Sequence, residues 1–156
     1  ADFEDHVTTA FPEVRLKGYL EMRGADGGSW GNICALPALW VGLLYDDGAL
    51  DAAESLIKGI TASDVEAARM AVAKDGLQAE MAGRSVHKIA HEVLEIAEAG
   101  LKSRKLLDSK GEDERKYLAP LQEIVKSGKT YADEMLDKYY SAWDEDITHI
   151  FKEYHY

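Results

Sequence analysis

The stretch from Val14 to Arg23 constrains the fold most, because apolar and polar side chains alternate along it without a break in period. The apolar positions are Val14, Leu16, Leu20 and Met22, with Gly18 between them. The polar positions are Arg15, Lys17, Tyr19, Glu21 and Arg23. Successive side chains of a strand point to opposite faces, so this pattern predicts a single β-strand with one apolar and one polar face.

The polar face ends in a Glu-x-Arg motif, Glu21 and Arg23. Two residues apart on a strand, these side chains point the same way, about 7 Å from each other. A carboxylate suits a hard cation, and a guanidinium suits a phosphate. The alternative is an ion pair on a solvated face, usually worth less than about 1 kcal/mol. Residues 24–29 then supply three glycines, which let a backbone approach another group closely.

Downstream of the strand the pattern is helical, beginning near Asn32. We expect Pro37 in the first turn of that helix, a capping box at Thr61, and a long helix that begins after Ser85. A further helix is predicted to be kinked or divided by Pro120. The predicted fold is mainly α, with one amino-terminal strand followed by six or seven packed helices. We expect the chain, residues 1–156, to form a single domain, with the strand and glycine-rich loop in residues 1–30 and the helices in residues 31–156.

A lone strand leaves its backbone hydrogen-bonding groups unsatisfied, so it needs a partner strand. The rest of the sequence offers no good candidate. We therefore expect the strand to pair either with a second copy of the chain or with a preceding segment of a longer protein.

The net charge of −11, from 29 acidic and 18 basic residues, argues against nucleic acid or an anionic membrane as the main partner. No apolar run approaches the roughly 20 residues that cross a bilayer. The single cysteine, Cys34, excludes a disulfide within the chain and favours a reducing compartment. The first residues also lack the features of a signal peptide. These observations together predict a cytoplasmic protein.

Other candidate sites have simpler interpretations. His87 and His91 share a helix face at zinc-binding spacing, but no third ligand is evident and a solvated face is favoured. For the helically spaced aromatic residues, core packing is favoured over a stacking platform for a cofactor. These residues are Trp40, Tyr139, Tyr140, Trp143, Phe151 and Tyr154.

The chain resembles a known family over nearly its whole length. The specific part is FPEVRLKGYLEMRGADGG (residues 11–28), then Trp30, then CALPALWVGLLYDD (residues 34–47). Weaker similarity continues through GEDE (111–114), EIVKSGKT (123–130) and the terminal residues 151–156. These segments are similar to the carboxy-terminal part of glutamate–cysteine ligase of the plant and alphaproteobacterial type.

The resemblance implies an ATP- and Mg²⁺-dependent ligase of glutathione biosynthesis. In that family the γ-carboxylate of L-glutamate is phosphorylated, and the amine of L-cysteine displaces the phosphate. The family's catalytic core is an antiparallel sheet, so the strand would be one edge of an active-site sheet within a larger α+β ligase. The remainder of that sheet would precede this chain, which alone would be inactive.

By position, Glu21 matches a Mg²⁺ ligand of the family, and Arg23 matches a residue that contacts ATP phosphate. Arg15 and Lys17 share their face and would help to line the nucleotide site. The sequence departs from the family at Gly18, where Arg is usual, and at Ser29, where Pro is common. It also has Gly-Asn at residues 31–32, where two arginines are common. An alternative hypothesis is a helical interaction module without chemistry, which pairs through its amino-terminal strand.

Overall fold

The computed structural model describes residues 2–3, 6, 12–16, 18–25 and 27–154. This part of the chain is mainly helical, as predicted. Seven α-helices have their bounds in it: α1 Trp30–Leu44, α2 Asp47–Ile57, α3 Ala62–Asp75, α4 Val86–Arg104, α5 Ala119–Ser127, α6 Tyr131–Tyr139 and α7 Ile150–Glu153. Three 3₁₀ helices occupy Gly76–Gln78, Glu114–Leu118 and Ile147–His149.

The predicted single strand is wrong: it is an antiparallel hairpin of β1 Val14–Leu16 and β2 Leu20–Met22. The chain reverses at Gly18, whose φ of +85° lies in the left-handed region that favours glycine. The strand therefore finds its partner within this chain rather than in a second copy. Because the reversal preserves the alternation, the polar side chains of both strands still share one face.

The core lies where α1 crosses α4, and glycines bring the two backbones together. A Cβ on Gly100 would come within 1.9 Å of the Gly42 carbonyl oxygen, and one on Gly42 within 2.4 Å of the Ala97 carbonyl oxygen. Larger residues would hold the helices apart. The main buried cluster surrounds this crossing: Ala38, Leu43, Leu94, Ala97, Leu101, Leu118 and Val125.

Local signals set most helix starts. Thr61 and Asp64 form the predicted capping box of α3, and Ser85 caps α4 through its hydroxyl. Pro120 divides the segment around it, because α5 begins at Ala119 after a 3₁₀ turn. Pro37 was expected in the first turn of its helix, but it lies inside α1, which begins earlier, at Trp30.

A second small hairpin lies between the 3₁₀ turn at Gly76–Gln78 and α4. Its strands are β3 Glu80–Met81 and β4 Arg84–Ser85. The two turn residues, Ala82 and Gly83, have φ of 51° and 72°. Strands of two residues carry too little alternation to be recognised from sequence.

Among the described residues, no single helix has the length and apolar character needed to cross a membrane. Helices α1 and α2 meet the length and composition criteria only as a pair, and a 92° bend separates them.

Candidate functional site

The polar face of the β1–β2 hairpin brings together two of the predicted site residues. Arg15 and Glu21 are cross-strand partners, and Arg15 Nε donates to Glu21 Oε2 at 2.7 Å. Their side chains are about a third exposed, 27% and 33%. The pair forms because the turn at Gly18 places these two positions opposite each other.

Arg23, the other residue of the motif, directly follows β2 and is half-buried. Its backbone N–H donates to the Glu13 carbonyl oxygen at 2.8 Å, which continues the hairpin ladder by one pair. Its side chain follows that of Glu21 by two positions and so belongs to the same face. Lys17, the fourth predicted site residue, lies outside the described residues.

This face presents the guanidinium groups of Arg15 and Arg23 beside the carboxylate of Glu21, and a guanidinium group is suited to bind phosphate. Mg²⁺ in proteins usually combines a few carboxylates with water and substrate phosphates. Across the described part of the chain, no group of three or more His, Cys, Asp or Glu side chains could hold a metal ion. The hairpin could therefore contribute a ligand to a metal site, with further ligands from outside these residues.

The apolar side of the hairpin is largely uncovered. Leu16 is 77% exposed, Leu20 60% and Val14 46%. Leu20 and Met22 also border a groove of about 490 Å³ against α1, where Trp40 lies. Apolar side chains in such a row are usually covered by another surface.

A second cavity, of about 550 Å³, was not predicted from the sequence. We call it the C-terminal aromatic cavity; its walls include Gly28, Ser29, Asn32, Tyr131, Phe151 and Tyr154. It joins the glycine-rich loop and the start of α1 to α6 and the last helix, α7. The sequence signal was the aromatic spacing near the carboxyl end, which was interpreted as core packing.

That interpretation is confirmed for Trp143, which is 2% exposed, and wrong for Phe151 and Tyr140, which are 77% and 71% exposed. Helix α7 is a single turn after a 3₁₀ turn, and α6 ends at Tyr139, before Trp143 is reached. The short helices therefore turn Phe151 and Tyr140 outward instead of extending one buried stripe.

A polar network holds the carboxyl-terminal segment in place beside this cavity. Trp143 Nε1 donates to Glu153 Oε1 at 2.7 Å, and Lys138 Nζ donates to Glu153 Oε2 at 2.8 Å. The hydrogen bond from Lys138 contributes most, and that from Trp143 adds to it; together they hold the pKa of Glu153 below its usual range. Tyr154 packs edge-on against Trp143, with ring centroids 6.1 Å apart. The last helix is thereby fixed against α6.

A further cleft, of about 930 Å³, lies between α2 and α4. Within it, Arg84 makes a bidentate contact with Glu92 and also donates to the Leu56 carbonyl oxygen. Asp46 at its edge accepts a hydrogen bond from Ser103, which lowers the Asp46 pKa. These contacts brace α2, β4 and α4 against one another.

The two helix histidines do not form a metal pair. The His87 ring hydrogen-bonds through Nε2 to the Val125 carbonyl oxygen, while His91 Nδ1 lies 3.4 Å from a Glu95 carboxylate oxygen. Cys34 is a half-buried free thiol beside Pro37 and Tyr117.

Comparison with known proteins identifies the family to which this fold and hairpin belong. A model described as Glutamate-cysteine ligase family 2 matches residues 1–153. The chain belongs to this family. It is 42% identical over 152 residues to the chloroplastic glutamate–cysteine ligase of Solanum lycopersicum, covering 97% of this chain and 28% of the relative. It is 42% identical to the corresponding protein of Medicago truncatula, of which it covers 29%. It is 43% identical to that of Arabidopsis thaliana, of which it covers 28%.

Two findings follow from these family members. The chain spans less than a third of the length of the curated relatives that it matches. The expectation of a cytoplasmic protein is contradicted, because these relatives are chloroplastic enzymes. The cytoplasmic expectation rested on the single cysteine and the acidic composition, and neither feature distinguishes the cytoplasm from a plastid.

Proposed function

We propose that this chain is the carboxy-terminal portion of an ATP-dependent glutamate–cysteine ligase, with L-glutamate, L-cysteine and ATP as substrates. The enzyme would join the γ-carboxylate of glutamate to the amine of cysteine, the first step of glutathione biosynthesis. The observation that carries the proposal is the family match over residues 1–153. The chloroplastic relatives favour a plastid location.

In this proposal the polar face of the hairpin forms part of the nucleotide site. Glu21 contributes an oxygen ligand to Mg²⁺, and Arg23 contacts a phosphate of ATP, with Arg15 and Lys17 beside them. Bound Mg²⁺-ATP would supply the phosphoryl group that activates the γ-carboxylate of glutamate. Phosphoryl transfer depends mainly on positioning and on neutralising phosphate charge, which fixed guanidinium groups provide.

The Arg15–Glu21 pair adds a positioning role that the sequence did not indicate. The 2.7 Å contact fixes the carboxylate of Glu21 through one oxygen, Oε2. A carboxylate whose orientation is already set loses less side-chain freedom when it binds a cation. Arg15 would thus orient the metal ligand as well as add positive charge.

The exposed apolar side of the hairpin supports a place within a longer chain. We propose that it packs against the rest of the ligase, because Leu16 and Leu20 are too exposed for a finished surface. The alternative, an interaction module that pairs through a lone strand, loses its main argument, since β1 already pairs with β2.

A test of the metal role is Glu21→Gln in the full-length enzyme. The amide keeps the size of the side chain but is a weaker ligand for a hard cation, so most turnover should be lost and more Mg²⁺ should be required. The matched control is Glu13→Gln, on the same hairpin with a side chain that is 68% exposed. Near-normal activity and Mg²⁺ dependence of Glu21→Gln would exclude Glu21 from metal binding.

A second test asks whether the active site needs residues outside this chain. The 156-residue chain alone should form no γ-glutamylcysteine from ATP, glutamate and cysteine, because it spans less than a third of the length of the curated ligases that it matches. Detection of the dipeptide by mass spectrometry, at a rate above a Glu21→Gln control, would show that the chain contains a whole active site.

A further inference from the structure

We propose that the C-terminal aromatic cavity binds the adenosine portion of the ATP whose phosphates lie at Arg23. This inference rests on the proposed function, since it takes the nucleotide from there. It places the adenine base in a cavity whose lining residues lie outside the Glu-x-Arg motif. The cavity volume, about 550 Å³, lies in the range typical of small-molecule sites.

The cavity walls suit a flat heteroaromatic group. Tyr131, Phe151 and Tyr154 offer aromatic surfaces, and Met135 adds a polarizable thioether. Phe151 is 77% exposed, so its ring is accessible to stack with a base. Stacking of a base on an aromatic side chain is worth about 1–3 kcal/mol.

Polar groups for recognition line one side of the cavity. The Tyr131 hydroxyl donates to Asn32 Oδ1 at 3.2 Å, which orients the Asn32 amide with its Nδ2 group near Gly28. Ser29 precedes α1 without using its hydroxyl as a cap. An amide and two hydroxyls can hydrogen-bond ring nitrogens or ribose hydroxyls.

The charges of the cavity argue against the amino-acid substrates. Glutamate and cysteine each carry an ammonium and a carboxylate, which need charged partners when they are removed from water. Glu153 is the one charged side chain among the described residues that line the cavity, and Lys138 and Trp143 already hold its two oxygens. A neutral nucleoside fits these walls better than either amino acid.

The position of the cavity relative to the hairpin fits one nucleotide. Gly27, at the cavity wall, follows Arg23 by four residues, so their Cα atoms are at most about 14 Å apart. A nucleoside triphosphate is long enough to place its phosphates at one end of this loop and its base at the other. The glycines let the connecting backbone pass close to the ligand.

The test measures ligand binding by calorimetry in the full-length enzyme, with ATP and with inorganic tripolyphosphate, which has no base. Phe151→Ala should weaken ATP binding about five- to a hundredfold through lost stacking and leave tripolyphosphate binding unchanged. Phe151→Trp should retain ATP affinity. Tyr140→Ala, an exposed aromatic residue outside the cavity lining, is the matched control and should change neither affinity.

A second measurement is photo-crosslinking with an azidoadenine nucleotide, followed by peptide mapping. Label within residues 131–154 is expected. An unchanged ATP affinity in Phe151→Ala, or label confined to other segments, would overturn the assignment. A loss of thermal stability in Phe151→Ala with unchanged ATP affinity would show that protein packs into the cavity. Failure of the proposed function looks different, because the unmodified enzyme would then bind no ATP.

Discussion

The hairpin and the helical core of this protein differ in how they are stabilised. Around the α1–α4 crossing, Gly42, Ala97 and Gly100 bring two backbones into contact, and Leu101 is completely buried. In the hairpin, none of the described residues is fully buried, and the Arg15–Glu21 ion pair joins the strands. The residues proposed to bind metal and phosphate thus lie in the less buried of the two regions.

The largest effect should come from the helix crossing. Gly100→Ala would place a methyl group 1.9 Å from the Gly42 carbonyl oxygen, so α1 and α4 must separate. We expect a loss of about 3 kcal/mol or more in the free energy of unfolding, measured by urea denaturation of this chain.

The matched control is Gly31→Ala, also in a helix, where the nearest contact would be an ordinary 3.4 Å from Pro120. It should change stability by less than about 1 kcal/mol. If Gly100→Ala and Gly31→Ala lowered the free energy of unfolding equally, close packing at the α1–α4 crossing would not be what distinguishes the core from the hairpin.

A pair of leucine substitutions compares the two regions directly. Leu101→Ala, at 0% exposure, should cost about 2–5 kcal/mol of unfolding free energy. Leu16→Ala, at 77% exposure, should change the stability of this chain by no more than about 0.5 kcal/mol.

In the full-length enzyme the effect of Leu16→Ala should become larger, if the apolar side of the hairpin packs against the rest of the ligase. Thermal unfolding of the same variant in both contexts measures this change. An equally small effect in both would show that the apolar side stays exposed to solvent.

The smallest effect concerns acid sensitivity, which should arise in the helical part. The hydrogen bond from Lys116, helped by the backbone N–H groups of Glu112 and Lys110, lowers the pKa of Asp108 from 3.8 to about 2. A depressed folded-state pKa stabilises the fold above pH 3.8, and this contribution is lost as the pH falls from there to about 2.

Urea denaturation as a function of pH tests this contribution. The difference in stability between the unmodified chain and Asp108→Asn should be constant above about pH 5 and should shrink as the pH falls towards 2. If the stability difference between the unmodified chain and Asp108→Asn did not depend on pH, the Asp108 carboxylate would not be stabilised by Lys116 as a charged pair.

The sequence predicted much of the helical part because its signals are local. Thr61 with Asp64, Ser85 and Pro120 act on backbone groups within a few residues, so their effects can be derived without knowing the rest of the fold. The site residues Arg15, Glu21 and Arg23 were recognisable from their alternation and from the family resemblance. Their roles in binding metal and phosphate remain predictions.

The sequence by itself determined the mainly helical class and most helix starts, and it placed the candidate site residues on one polar face. Tertiary structure alone decided which distant groups meet. The alternation is the same for one long strand and for two short strands around Gly18, and only the reversal brings Arg15 to Glu21. Likewise, the C-terminal aromatic cavity joins Asn32 to Tyr131, 99 residues apart in the sequence. Contacts at such separations depend on how helices pack, which local patterns do not encode.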